Sequence, residues 1–289
     1  MVDLVCERRV ADITEADAFV PHFGGSVATV AVVAARAGAH VALAGGAGDD
    51  DWGLWLRRRL KDEGVDLRLF RLAPDRRTQV AFVTVSGDGG PHHLIYGGAI
   101  APVLAALSDH LEAAVGDSAA LFIGSGTLAG KDERAVTMRA RELALDRGLP
   151  VVFDASIRLK RWSSRSDAAA STNACVPRAL LVRASSADAE LMTGEDDPER
   201  AALALLKAGA KMVVLTLGAG AAILRGELPA EASAVPVQII STLGAEDVLT
   251  GTILARLAAS GFYPPSVAAA LGDAVAASAR ASERWAALD

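Results

Sequence analysis

The sequence predicts a doubly wound α/β fold carrying a separate small β-sheet, and three observations lead there. Strand and helix patterns alternate from Val41 to Ala281, as in a sheet wound on both faces. Aromatic residues make up only 4% of the 289 residues although 52% are hydrophobic, so the core is built from Ala, Val and Leu, which suits helices packed closely on a sheet. Between Leu67 and Tyr96 the hydrophobic period changes to two, which sets a hairpin among the α/β units. A chain of this length and composition holds one large domain, 1–289, with the hairpin region as its appendage.

Charge and cysteine usage narrow the function. Lys+Arg 29 against Asp+Glu 35 gives a net charge of -6, which argues against a nucleic-acid or anionic-membrane surface. A phosphate can still be held locally by backbone N–H groups. The two cysteines, Cys6 and Cys175, are too few for a disulfide framework or a zinc site, and neither a leader nor a membrane-length apolar run is expected. A reducing cytoplasm fits best.

In chain order, Met1–Val5 reads as the last part of a strand. Gly24 and Gly25 then precede a helix of small residues that includes Ala28 and Ala31, and paired glycines let backbone approach a ligand closely or make a tight turn. Val41–Ala44 reads as a strand, and the acids Asp49, Asp50 and Asp51 as a loop and helix cap rather than a metal cluster. Thr78–Val85 and His93–Tyr96 flank a Gly-rich turn; His92 and His93 lack further ligands at metal spacing. Gly124-Ser125-Gly126-Thr127-Leu128-Ala129 follows a strand and imitates a dinucleotide fingerprint, but the helix starts only after Gly130 and Asp154 lies too far on. Gly130-Lys131 is not a P-loop, because Ser125 stands where its first glycine belongs.

The stretch with the most chemistry is Ser241–Gly261. Val237, Ile239 and Ile240 suggest a strand arriving in a core, and Val248, Leu249, Ile253, Leu254 and Leu257 continue at helical spacing. Gly244, Ala245, Glu246 and Asp247 therefore fall at a strand-to-helix turn, where unpaired amides and the helix dipole can hold a phosphate and keep Asp247 ionised. Such a carboxylate can accept the proton of a hydroxyl that receives a phosphoryl group. Taken alone, an Asp near a helix start is also an ordinary cap.

Ser241–Asp247 resembles the D-T-x-G-A-G-D motif of the ribokinase-like (PfkB) carbohydrate kinases, with Ser241 for the first Asp and Glu246 for the last Gly. The resemblance covers nearly the whole chain and implies a ribokinase-like α/β/α sandwich whose lid is formed by about 7–23 and 67–97. It implies Asp247 as catalytic base, with Gly244, Ala245 and Glu246 in the anion hole. Gly24-Gly25 with Thr29 is similar to G-G-x-x-x-N, which together with Asp3 implies the sugar contacts; Thr29 replaces the Asn. Asp154-Ala155-Ser156-Ile157-Arg158 with Trp162 resembles the D-x-N-x-R…W pattern of the fructokinase and 2-keto-3-deoxygluconate kinase branches, with Ser156 for Asn and Arg158 able to hold an acidic sugar or a phosphate. Ser185 and Asp188 stand for N-x-x-E, which implies magnesium near Asp188. Thr216 and Gly218 open a nucleotide loop like T-x-G-x-x-G, with Ala221 in the last glycine's place, and Asp273 matches an Asn near the adenine.

ATP and Mg²⁺ are thereby implied, with a monovalent cation as a further candidate, a small sugar as acceptor, and a homodimer through the lid. The family's first strand starts earlier than Met1, which is expected from either a mis-assigned start or a shortened strand. The seven departures, at Thr29, Ser156, Ser185, Asp188, Ala221, Ser241 and Glu246, keep a non-catalytic sugar or nucleotide binder as the competing reading.

Overall fold

The computed structural model describes residues 1–97, 103–104 and 107–288; residues 98–102, 105–106 and Asp289 lie outside the described part. The chain divides into two compact units. One comprises Met1–Val103, Val235–Ala259 and Asp273–Asp289, the other Leu104–Ala234 and Ser260–Gly272.

The first unit contains β1 (Val2–Arg9), β2 (Val20–Phe23), α1 (Ser26–Arg36), β3 (Gly45–Gly48), α2 (Asp51–Asp62), β4 (Phe70–Ala73), β5 (Val80–Val85) and β6 (Pro91–Tyr96). Four of these strands form one sheet in the order β2-β1-β5-β6, with β1 antiparallel to β2 and parallel to β5. The expected hairpin is present as β5 and β6. Through β5 it pairs with β1, so the hairpin lies in a four-stranded sheet distinct from the six-stranded one. The strand expected at Val41–Ala44 is displaced: Ala42 makes an isolated bridge to Asp66, and the paired strand is Gly45–Gly48 beside β4. Glycine is required there, since a Cβ on Gly46 would lie 2.2 Å from the Arg71 carbonyl oxygen. Asp50 caps α2 by accepting from the Gly53 N–H, as the acidic triplet suggested.

The second unit contains α3 (Leu111–Gly116), β7 (Leu121–Gly124), α4 (Lys131–Asp146), β8 (Val151–Asp154), α5 (Arg165–Asn173), β9 (Leu181–Ser185), α6 (Ser186–Thr193), α7 (Pro198–Lys207), β10 (Met212–Thr216), β11 (Ala222–Gly226) and β12 (Ala230–Ala232). Its six strands run in the order β12-β11-β10-β9-β8-β7. From β7 to β10 the strands are parallel, and β11 and β12 extend the sheet antiparallel. All residues of β8 and β10 are buried, the near-continuous burial expected of parallel strands covered on both faces. Helix α4 begins at Lys131 with Gly130 as its N-cap, so the glycines at 124 and 126 do not open a helix and the dinucleotide fingerprint is not built.

The chain ends with α8 (Ala245–Ala259) and α9 (Pro265–Ala281). The strand expected at Val237–Ile240 does not form. That segment is instead pinned by a bond from the Arg9 guanidinium to the Ile239 oxygen and by one from the Ile240 N–H to the Ser282 oxygen. Ile239, 40% exposed, rests against Gly89 of the β5–β6 turn, so its side chain serves a loop rather than a sheet face. Helix α8 packs very closely on α1: a Cβ on Gly251 would lie 2.7 Å from Val33 Cβ and 3.0 Å from the Val30 oxygen.

Candidate active site

In the first unit the turn from β2 into α1 sets out a cluster of predicted site residues. Gly25 is the N-cap of α1 with φ 100, a backbone conformation open to glycine, and no side chain caps this helix. Asp3, paired with His22 in the sheet and 4% exposed, brings its carboxyl group directly over Gly24. Thr29 is one turn into α1, where its hydroxyl donates to the Gly25 oxygen at 3.2 Å and its methyl group faces the Gly244 turn. The hydroxyl expected to stand in for an Asn amide toward sugar is thus bonded to its own helix.

The turn into α8 lies beside this cluster. Ser241, 1% exposed, accepts the Leu243 N–H at 3.1 Å, which is the local turn bond that an Asp would also make. Gly244 carries φ +76 and supplies the left-handed residue. The Ala245 N–H donates to the Thr242 oxygen at 3.2 Å, so this amide is not offered to an anion and the expected cradle is narrower than Gly244–Asp247. Glu246 lies within α8, so the positive φ that would penalise a side chain belongs to Gly244 and not to residue 246. Asp247, in the first turn of α8 and 7% exposed, accepts from the Ser26 hydroxyl through Oδ1 at 2.5 Å. Its Oδ2 faces the Gly244 turn, 3.8 Å from where a Cβ on Gly244 would stand.

In the second unit the candidates sit at the carboxyl ends of β8, β9 and β10, where ligands bind in open α/β sheets. Arg183, 0% exposed, joins them: its Nη1 donates to Asp154 Oδ1 at 3.3 Å and to Ser156 Oγ at 3.1 Å, and its Nη2 donates to Thr216 Oγ1 at 3.0 Å. Ser156 donates to Asp154 Oδ1 at 2.7 Å, so a hydroxyl fills the place of the absent Asn amide within this network. Ser185 caps α6: its oxygen accepts the Asp188 N–H at 3.1 Å and its hydroxyl donates to Asp188 Oδ2 at 2.8 Å. Asp188 Oδ1 accepts the Ile157 N–H at 3.2 Å, linking the β8 and β9 loops. Gly218 opens a short turn with open space beside it, and Gly220 carries φ +85. Ala221 is extended at φ -70, so alanine in place of the last glycine meets no backbone penalty.

Arg158 is exposed at the head of the next turn, and Arg161 follows it. Burial and then the like charge of Arg158 hold the Arg161 guanidinium below its usual value. Asp273 is on α9 in the first unit and pairs with Arg256 at 3.1 Å, both side chains being exposed. Among the described residues no group of three His, Cys, Asp or Glu could hold a metal by itself. Sequence reading missed Ser26, Arg183 and Arg161. An arginine inside an otherwise apolar strand, Leu181–Ser185, was the available signal for Arg183; Ser26 had none, because its partner is 221 positions away.

A family model of the pfkB family carbohydrate kinases matches residues 1–285. The chain belongs to this family. It is an ATP-dependent carbohydrate kinase with the ribokinase-like α/β fold. Fructokinase-1 of Oryza sativa subsp. japonica is 30% identical over 263 residues, covering 89% of this chain and 80% of the relative. A crystal structure of fructokinase from Vibrio cholerae O395, in a form with fructose, ADP and calcium ion bound, superposes with TM-score 0.83 at 25% identity over 99% of this chain and 91% of that one. An apo structure of a ribokinase II from E. coli, so described on a putative basis, is similar in fold, with TM-score 0.88 at 21% identity, covering 100% and 92% of the two chains. Among the described residues no helix is long and apolar enough to cross a membrane.

Proposed function

We propose that this kinase phosphorylates a fructose-like sugar, with Asp247 as the base. The observation that carries the reading is the burial of Asp247 at the start of α8, held by Ser26 within the Gly24–Gly25 turn that also packs against Asp3. Asp3 and the Gly24–Gly25 backbone bind and orient the acceptor. Asp247 accepts the proton of its reactive hydroxyl as the γ-phosphorus bonds to that oxygen and the bond to the ADP leaving oxygen breaks. The amides around Gly244 and the dipole of α8 favour the negative charge of the phosphoryl group. Thr216, Gly218 and Ser185 are the nucleotide contacts, and Asp273, already paired with Arg256, is the weakest of the nucleotide candidates.

A single carboxylate fits magnesium that keeps most of its ligands from water and phosphate oxygens. Asp188 would hold it, through water since Ser185 and the Ile157 N–H already use its oxygens, and the ion would neutralise phosphate charge. A monovalent cation is a further proposed ligand. The chain acts as a single kinase domain with a lid from about 7–23 and 67–97. Val20, Leu94 and Tyr96, at 40%, 39% and 55% exposure on the edge strands β2 and β6, support a homodimer through that lid. Two buried free cysteines support a reducing cytoplasm.

The acceptor is chosen on the fructokinase relatives. A keto-deoxy sugar acid is the second reading, favoured by the neighbouring cations Arg158 and Arg161. A panel of sugars, sugar acids and nucleosides with ATP and Mg²⁺ separates them. Fructose should give the highest kcat/KM, and Asp247→Asn should lower it by about 10² to 10⁴ without unfolding the chain. A variant as fast as the parent would remove Asp247 from the base role.

A further inference from the structure

We propose that Ser26 is a positioning residue for phosphoryl transfer: its hydroxyl holds the Asp247 carboxylate by Oδ1 and so presents Oδ2 to the acceptor. The proposal rests on the reading of Asp247 as the base. An aspartate on a helix has several staggered rotamers, and catalysis requires that one oxygen keep its place. The Ser26 hydroxyl donates to Oδ1 at 2.5 Å. That bond is not needed to start helix α1, whose N-cap is Gly25 and which has no side-chain cap. A serine at the first helical position thus directs its only proton across to another helix.

The two oxygens of Asp247 therefore have different surroundings. Oδ1 faces α1 and accepts from Ser26, whereas Oδ2 faces the Gly244 turn, 3.8 Å from where a Cβ on that glycine would stand. The close contact of Gly251 with Val33 and Val30 fixes α8 against α1, so the donor and the acceptor of this bond are carried by elements that cannot drift apart independently. In the reaction Ser26 neither gains nor loses its proton: the acceptor's proton moves to Oδ2 while the Ser26 proton stays on Oγ.

The test compares the parent with Ser26→Ala, Ser26→Thr, Asp247→Asn and the Ser26→Ala/Asp247→Asn double variant, using ATP, Mg²⁺ and the best acceptor of the panel. Ser26→Ala should lower kcat about 10- to 100-fold, leave KM for ATP within about twofold and leave Tm nearly unchanged. Ser26→Thr should recover most of the rate. The double variant should be no slower than Asp247→Asn, because the hydroxyl acts only through the carboxylate. Ser26→Ala at or above the parental rate, with Asp247→Asn inactive, would overturn the positioning role while leaving the base in place. A loss that tracks a lowered Tm and is not restored by Thr would overturn it as well. A fully active Asp247→Asn would instead remove the base reading itself.

Discussion

The carboxyl group of Asp3 occupies the space that a side chain on residue 24 would need: a Cβ on Gly24 would lie 2.3 Å from Asp3 Cγ. Gly24→Ala must therefore push Asp3 away from its place on β1. Overpacking of this kind costs about 1 to 3 kcal/mol. The expected result is a KM for sugar raised about tenfold or more, with KM for ATP unchanged. Initial rates over a matrix of both substrates decide it.

Arg183 should be far more important to stability than an exposed arginine. Arg183→Met would leave the Asp154 carboxylate, 1% exposed, without its buried counter-ion. Breaking a buried pair on one side costs about 3 to 5 kcal/mol. Replacing both partners, Arg183→Met with Asp154→Leu, should recover more than half of that loss in urea unfolding while the kinase activity stays low.

Glu246 is in the helix, so no backbone strain is relieved by glycine there. Glu246→Gly should lower stability by about 0.5 to 1 kcal/mol through backbone entropy. Charge is tested separately by Glu246→Gln. A carboxylate about 5 Å from the transferring phosphate at an effective dielectric near 20 repels it by roughly 3 kcal/mol. The Gln variant should raise kcat/KM for ATP, with a smaller gain at high salt. Equal rates would show that the carboxylate points away from the phosphate.

Burial alone would raise the Asp50 pKa, but the bonds from the Thr78 hydroxyl and N–H and from the Gly53 N–H together hold it below the usual carboxylate range. A depressed folded-state value means that this stability is complete above the ordinary Asp pKa and is lost as pH falls through the folded one. Asp50→Asn keeps an oxygen to cap α2 but turns an amide NH2 toward the Thr78 N–H, and should cost about 1 kcal/mol near neutrality, as the loss of a hydrogen bond does. The gap from the parent should close progressively in acid, which urea titrations from neutral pH down to about pH 3 would follow.

What the sequence made legible was whatever local pattern controls. The helices after Gly25, Asp50 and Gly130 announced themselves by caps and glycines, and the β5–β6 hairpin by its period. Two strand assignments went astray for opposite reasons. Val237–Ile240 is apolar enough for a strand, but its backbone is bonded to the Arg9 side chain and to Ser282 instead of to a strand, while Gly45–Gly48 lacks strand formers and is a strand because β4 lies alongside. At the site, Asp247 and Gly244 were readable because the helix start confers their properties. The contacts that distinguish this chain were not, because the bonds of Ser26 to Asp247 and of Arg183 to Thr216 join residues that only the fold brings together.

Gly251 is one helical turn beyond Asp247, and no ligand is expected to touch it. Yet the missing methyl group there sets how near the base stands to the Gly24–Gly25 turn. The geometry of catalysis in this chain is thus adjustable from a purely apolar contact, and positions 33 and 251 should vary as a pair. Enlarging one would be tolerated when the other shrinks, so a Gly251→Ala change that damages the parent should be partly rescued by Val33→Ala. An inherited drift at these two positions could retune acceptor choice while every residue that contacts substrate stays the same.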